Sequence, residues 1–134
     1  MLSITILLID PRTPLRPTAR VINLQPDRES LANYLGCRSV RISTLPDGTP
    51  IVMDDGPLFR HYHEAAGGHV CVMRQTWPDA ICGPVLITGA HDQHGLPTSL
   101  TPQERQVLPA QFLAGWLTFG TSGTVKMLTK LKVD

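Results

Sequence analysis

The chain has 134 residues and a formal net charge of +1; it is 42% hydrophobic and 17% charged. That is one ordinary domain's length, enough to bury about two thirds of the unfolded surface without staples. A charge this near balance gives no field for non-specific duplex binding and cannot imitate DNA, and no run reaches the ~18 apolar residues a membrane span needs. Residues 2–9 (LSITILLI) are apolar and β-branched with little alternation, which predicts a strand covered on both faces. They lack a basic flank and stop at Asp10-Pro11, which argues against a signal peptide and for a soluble, cytoplasmic protein. Arg20 to Leu24 follows as a second candidate strand. Pro26-Asp27 predicts a helix start, with Asp27 as cap, Leu31, Tyr34 and Leu35 on one face, and Gly36 as the left-handed stop.

Residues 37–45 (CRSVRISTL) alternate, with Val40 and Ile42 opposite Ser39, Arg41 and Ser43. Pro46-Asp47-Gly48 supplies a turn, and residues 50–53 return as the partner strand. Asp54-Asp55-Gly56 predicts another turn. Residues 57–78 carry no sustained period and are expected to be an inserted loop, with a short helix or strand near 69–73. Residues 80–88 (AICGPVLIT) predict a strand with a bulge or edge position at Gly83-Pro84. Thr101-Pro102-Gln103-Glu104 has the residues of a capping box. Leu108, Phe112, Trp116 and Phe119 then recur at helical spacing, broken or kinked at Pro109. The expected C-terminal part, 109–134, is thus a helix plus an edge strand guarded by Lys126, Lys130 and Lys132. The order β-β-α-β-β-loop-β-α-β predicts a single α+β domain, mostly antiparallel, with two or three short helices.

The sequence has no GxxxxGK[ST], GxGxxG, HExxH or GxSxG motif, which removes the commonest nucleotide hydrolases, dinucleotide enzymes, zinc peptidases and α/β hydrolases. Three cysteines, Cys37, Cys71 and Cys82, suit neither a disulfide scaffold nor a CxxC pair, and read as reduced, mostly buried thiols. One constellation has metal-ligand chemistry. His61, His63, His69 and Cys71 carry imidazole and thiolate at alternate positions around Gly67-Gly68, with Cys82 and the pair His91 and His94 further on. These are zinc's ligand types, although the spacing matches no familiar finger, and the plainer reading is histidines in a polar loop. Arg38, Arg41, Arg60 and Arg74 could line a pocket for a nucleotide-like anion, since guanidinium forks suit phosphate and carboxylate. The plainer reading is solvated arginines on an exposed sheet face. The expected helix near 105–120, with Phe112 and Trp116, would present an apolar face to a partner or to a second copy in a homodimer.

Three segments resemble a family of small phage and mobile-element proteins classed as a domain of unknown function: LPDG-x-x-IV-x-x-DDG at 45–56, D-x-IxGPVLITG at 79–89, and TSLTPQE at 98–104. The resemblance covers about residues 2–108. The segment PLFRHYHEAAGGHVCVMRQTW and the lysine tail depart from the pattern. The resemblance implies a phage-type accessory protein of the host cytoplasm, and no catalytic residues carry over, because the family has none assigned. The expected function is therefore non-enzymatic. It is stoichiometric binding that inhibits a bacterial defence system (anti-CRISPR or similar) through the 57–78 loop and the apolar helix, with a host defence protein or its nucleotide signal as partner. The alternatives are a sponge for a small anionic ligand and a zinc-dependent binder or enzyme.

Overall fold

The computed structural model describes residues 2–10, 18–55, 68–74, 80–120 and 123–133. In chain order these hold β1 (Ile4–Asp10), β2 (Thr18–Leu24), α1 (Arg28–Leu35), β3 (Val40–Thr44), β4 (Pro50–Asp54), β5 (Gly68–Arg74), β6 (Ala80–Cys82) and β7 (Val85–Ile87). They continue with α2 (Pro102–Val107), a 3-10 helix (Leu108–Gln111), β8 (Phe112–Gly120), β9 (Gly123–Lys130) and β10 (Lys132–Val133). Two sheets result, in the orders β10-β2-β1-β7-β4-β3 and β6-β5-β8-β9. Every neighbouring pair is antiparallel except β10 with β2. The fold is α+β and mostly antiparallel, with two α-helices among the described residues. None of its described helices is long and apolar enough to cross a membrane.

β1 explains its own lack of alternation. It lies inside the six-stranded sheet, and Ile6, Leu7, Leu8 and Ile9 are all buried. Ile6 and Leu8 pack with Leu31, Ala32 and Leu35 of α1, and with Val40, Val52 and Leu86. Leu7 and Ile9 belong to a second cluster with Ile51, Met53, Val85, Ile87, Leu100, Phe112 and Leu131. A strand with both faces covered reads as one apolar run.

α1 starts and stops as its residues dictate. The Asp27 carboxylate accepts from the Ser30 N–H at 3.0 Å, and the Gly36 N–H donates back to Asn33 and Ala32 carbonyls. Leu31 and Leu35 are buried as expected, but Tyr34 is 37% exposed and Ala32 takes its place against the sheet. The β3–β4 hairpin also matches its sequence. Leu45 and Thr49 close it at 2.8 Å, and Asp47 accepts from the Thr49 N–H and hydroxyl. Asp54 is not part of a turn: it ends β4, is buried, and pairs in register with Val40. The Asp55 N–H donates to the Ser39 carbonyl at 3.1 Å, and Gly56 lies outside the described residues.

Three expectations are corrected. Residues 80–88 are not one strand with a bulge. Gly83, at φ 86°, and the buried Pro84 end β6 in one sheet and start β7 in the other. Residues 105–120 are not a helix. α2 stops at Val107, Pro109 sits in the 3-10 helix, and β8 follows, paired on both sides with β5 and β9. The misleading signal is the four-residue spacing of Leu108, Phe112 and Trp116, which satisfies a period of 3.6 and a period of 2 equally. Gly115 disfavours a helix, and Thr118 and the aromatics favour a strand once two neighbours are available. The expected loop at 57–78 contains a seven-residue strand, β5, longer than the 69–73 element predicted; 57–67 and 75–78 lie outside the described residues. The alternating tail forms edges as expected, β9 on one sheet and β10 on the other.

Candidate functional site

The corner where α1 hands the chain to β3 holds a cleft of about 230 Å³ lined by Arg28, Glu29, Ala32, Asn33, Arg38, Ser39 and Val40. Packing makes it. Leu31, Ala32 and Leu35 seat α1 on the sheet, Gly36 reverses the chain, and Arg38 and Ser39 lead into β3 facing the helix's first turn. Arg28 reaches across and donates to the Val40 carbonyl at 3.3 Å. That bond fixes one arm of a guanidinium whose five donors leave several for a ligand. Arg28, Asn33 and Ser39 are exposed, so the cleft opens to solvent. Among the described lining residues Glu29 is the one carboxylate, so these residues carry a formal +1 from two arginines and one glutamate.

Cys37, between Gly36 and Arg38, is half-buried, and its Sγ donates to the Ser39 carbonyl at 3.3 Å. Burial, and then the charge of Asp54, push its thiol above the ordinary 9.0. A thiol held protonated is a poor nucleophile.

The expected anion-binding arginines separate in the fold. Arg38 lines the cleft. Arg41 points elsewhere, its Nε 3.3 Å from Asp55, with both side chains about half exposed. Such a pair is worth ~0–1 kcal/mol. Arg74 is the last residue of β5, opposite Phe112 in the four-stranded sheet, and Arg60 lies outside the described residues. Arg28 and Asn33 are the residues that sequence reasoning missed. The signal was weak: Arg28 sits one residue after a helix cap, and only the turn at Gly36 brings it beside Arg38.

Phe112 is corrected as a contact residue. It is 1% exposed and belongs to the core cluster that includes Leu100 and Leu131, so its ring is not open to a docking partner. Trp116 lies in β8, opposite Val70 and Met127. The apolar helix face that suggested a homodimer does not exist.

The metal constellation is divided. His61 and His63 lie outside the described residues. His69 and Cys71 lie two apart in β5, and Cys82 in β6 stands opposite Cys71. Among the described residues no group of three or more His, Cys, Asp or Glu could hold an ion. His91 and His94 flank one carboxylate and are part of no such group. They belong to a loop built by Asp92, whose carboxylate accepts from His94 N–H at 2.8 Å and Leu96 N–H at 3.0 Å. Those backbone bonds, Leu96's first, and the two imidazoles hold Asp92 below the ordinary carboxylate value. The His91 Nε2 is buried without a hydrogen-bond partner among the described residues.

No curated protein and no solved structure matches the chain. A family match does exist, over residues 4–113. It opens with β1 and ends just inside β8, and so takes in the cleft, both helices and five of the six strands of the larger sheet. By that match the chain belongs to the family described as Domain of unknown function (DUF3846).

Proposed function

We propose that the protein acts by stoichiometric, non-enzymatic binding, and that the α1–β3 cleft takes the anionic group of a small nucleotide-like ligand. The observation that carries this reading is the pairing of Arg28 and Arg38 in one solvent-open cleft, with Asn33 and Ser39 as further polar lining. Guanidinium forks recognise phosphate and carboxylate by paired hydrogen bonds. Size sets a limit: about 230 Å³ is below the roughly 300–1,000 Å³ that encloses a drug-sized ligand. The cleft thus suits a charged head group, with the rest of the ligand lying over Asn33 and Ser39.

A second reading is a protein partner that places a carboxylate in the same cleft. It is favoured by Tyr34, exposed on the same helix, whose hydroxyl accepts from Arg20 at 3.3 Å. Tyrosine and arginine are the residue types that dominate protein–protein hot spots. A phage-type setting, the host cytoplasm, and a defence protein or its nucleotide signal as target come from the motif resemblance and belong to the proposal.

Thermal melting with nucleoside phosphates and cyclic dinucleotides tests it. A ligand at 100 times its Kd contributes about 2.7 kcal/mol, which raises Tm by roughly 5–10 °C at this chain length. Arg28→Ala and Arg38→Ala should each abolish most of that shift, while Arg41→Ala should leave it intact. No shift with any anion, together with capture of a host protein that Arg38→Ala releases, would transfer the case to the second reading. A chain that binds neither would defeat both.

A further inference from the structure

Two cysteines stand opposite one another across a pair of neighbouring strands. In the β5–β6 ladder the register is Cys71↔Cys82, Val72↔Ile81 and Met73↔Ala80. Opposed residues in an antiparallel pair have Cα atoms about 4.5 Å or about 5.5 Å apart, depending on whether they exchange hydrogen bonds. Both values fall within the roughly 4.4–6.8 Å over which disulfides form. Directly opposed residues also share a face of their sheet, so neither backbone would have to turn to join them.

We infer that Cys71 and Cys82 form a reversible cross-strand disulfide, making this edge of the four-stranded sheet a thiol-modification site. The oxidant is a small disulfide such as oxidised glutathione. One cysteine thiolate attacks a sulfur of that disulfide, forming a mixed disulfide and releasing one small thiolate. The second cysteine thiolate attacks the protein sulfur of the mixed disulfide, forming the Cys71–Cys82 bond and releasing the other. Two electrons pass from the cysteines to the small disulfide, and the two thiol protons end on the two released thiols. Thiolate exchange of this kind is reversible by a dithiol.

Position gives the bond a consequence. β6 is an outermost strand of its sheet, held by a three-pair ladder, and after two intervening residues the chain enters β7 in the other sheet. A covalent link there closes the segment 72–81 and secures the crossing. Cys37 is a natural control, since it lies near α1 and burial keeps its thiol protonated. Bonds of this class in reducing compartments are characteristically transient and regulatory.

The test uses the full chain. After incubation with oxidised glutathione, free thiols are alkylated and the protein is cut with trypsin. Each cysteine falls in its own peptide: Cys37 in 29–38, Cys71 in 61–74 and Cys82 in 75–105. The expected product is the 61–74 peptide joined to 75–105, lighter by two hydrogens and separated again by dithiothreitol, with Cys37 alkylated. Tm of the oxidised chain should rise by roughly 5–10 °C for a loop of this length. In Cys82→Ser, Cys71 should instead keep a stable glutathione adduct. Independent alkylation of Cys71 and Cys82 after oxidation, a link to Cys37, or protection of both by a zinc ion retained from purification would each overturn the inference.

Discussion

Gly89 lies two residues beyond β7, in an isolated antiparallel bridge to Thr98. A Cβ at this position would collide with the Ser99 carbonyl oxygen and lie 2.7 Å from the Thr98 hydroxyl oxygen. The nearest opposing group is backbone, so a rotamer change cannot relieve the clash. Gly89→Ala should cost about 1–3 kcal/mol, the range of overpacked interiors. Urea unfolding checks it, and an unchanged midpoint would mean that this bridge is loose. Asp27 gives a second residue-level expectation. Hydrogen bonds from Ser30, its side chain first and then its backbone N–H, hold the Asp27 carboxyl below its ordinary 3.8. A lowered carboxylate stabilises the native state above the unfolded value, and that contribution is lost as pH falls through the folded value. Stability should therefore decline as pH drops below about 4, and Asp27→Asn should flatten that part of the Tm-against-pH curve.

α1 depends on a narrow stripe. Leu31 is fully buried in the cluster with Ile6, Leu8 and Leu86, whereas Tyr34 meets solvent and Arg20. Leu31→Ala should cost about 2–5 kcal/mol, and Tyr34→Ala should stay within roughly 0.5 kcal/mol. Equal losses from the two would place the helix face where the sequence spacing first suggested. The elements most legible in the sequence are those with local punctuation. Asp27 and Gly36, Pro46-Asp47-Gly48, and the Thr101–Glu104 box each satisfy backbone groups within a few residues, and each is found as predicted. β8 was illegible because its apolar residues fit two periods, and only distant strands β5 and β9 select one. The break at Gly83-Pro84 is visible as a disturbance, but not as a change of sheet, because that depends on β7 pairing with β1 and β4, more than thirty residues away. The cleft was half legible. Arg38 stood out, yet Arg28 becomes its neighbour only through the helix between them.

The two sheets share the chain at short crossings. Gly83-Pro84 joins β6 to β7, Leu131 joins β9 to β10, and Phe112 both begins β8 and sits in the larger sheet's core. Leu131 and Phe112 are each buried against residues of that sheet, so opening one sheet exposes apolar surface belonging to the other. Calorimetry should accordingly show one cooperative transition with equal calorimetric and van't Hoff enthalpies. Two resolved transitions would mean that these junctions transmit little. The parallel pairing of β10 with β2 reaches further. Lys132 meets Thr18, a separation of 132 − 18 = 114 residues. At roughly 5–20 residues per second, a ribosome delivers the later strand some 6–23 s after the earlier one. Through that interval the nascent chain carries β2 with an open flank, a surface on which chaperones and neighbouring chains compete for its hydrogen bonds.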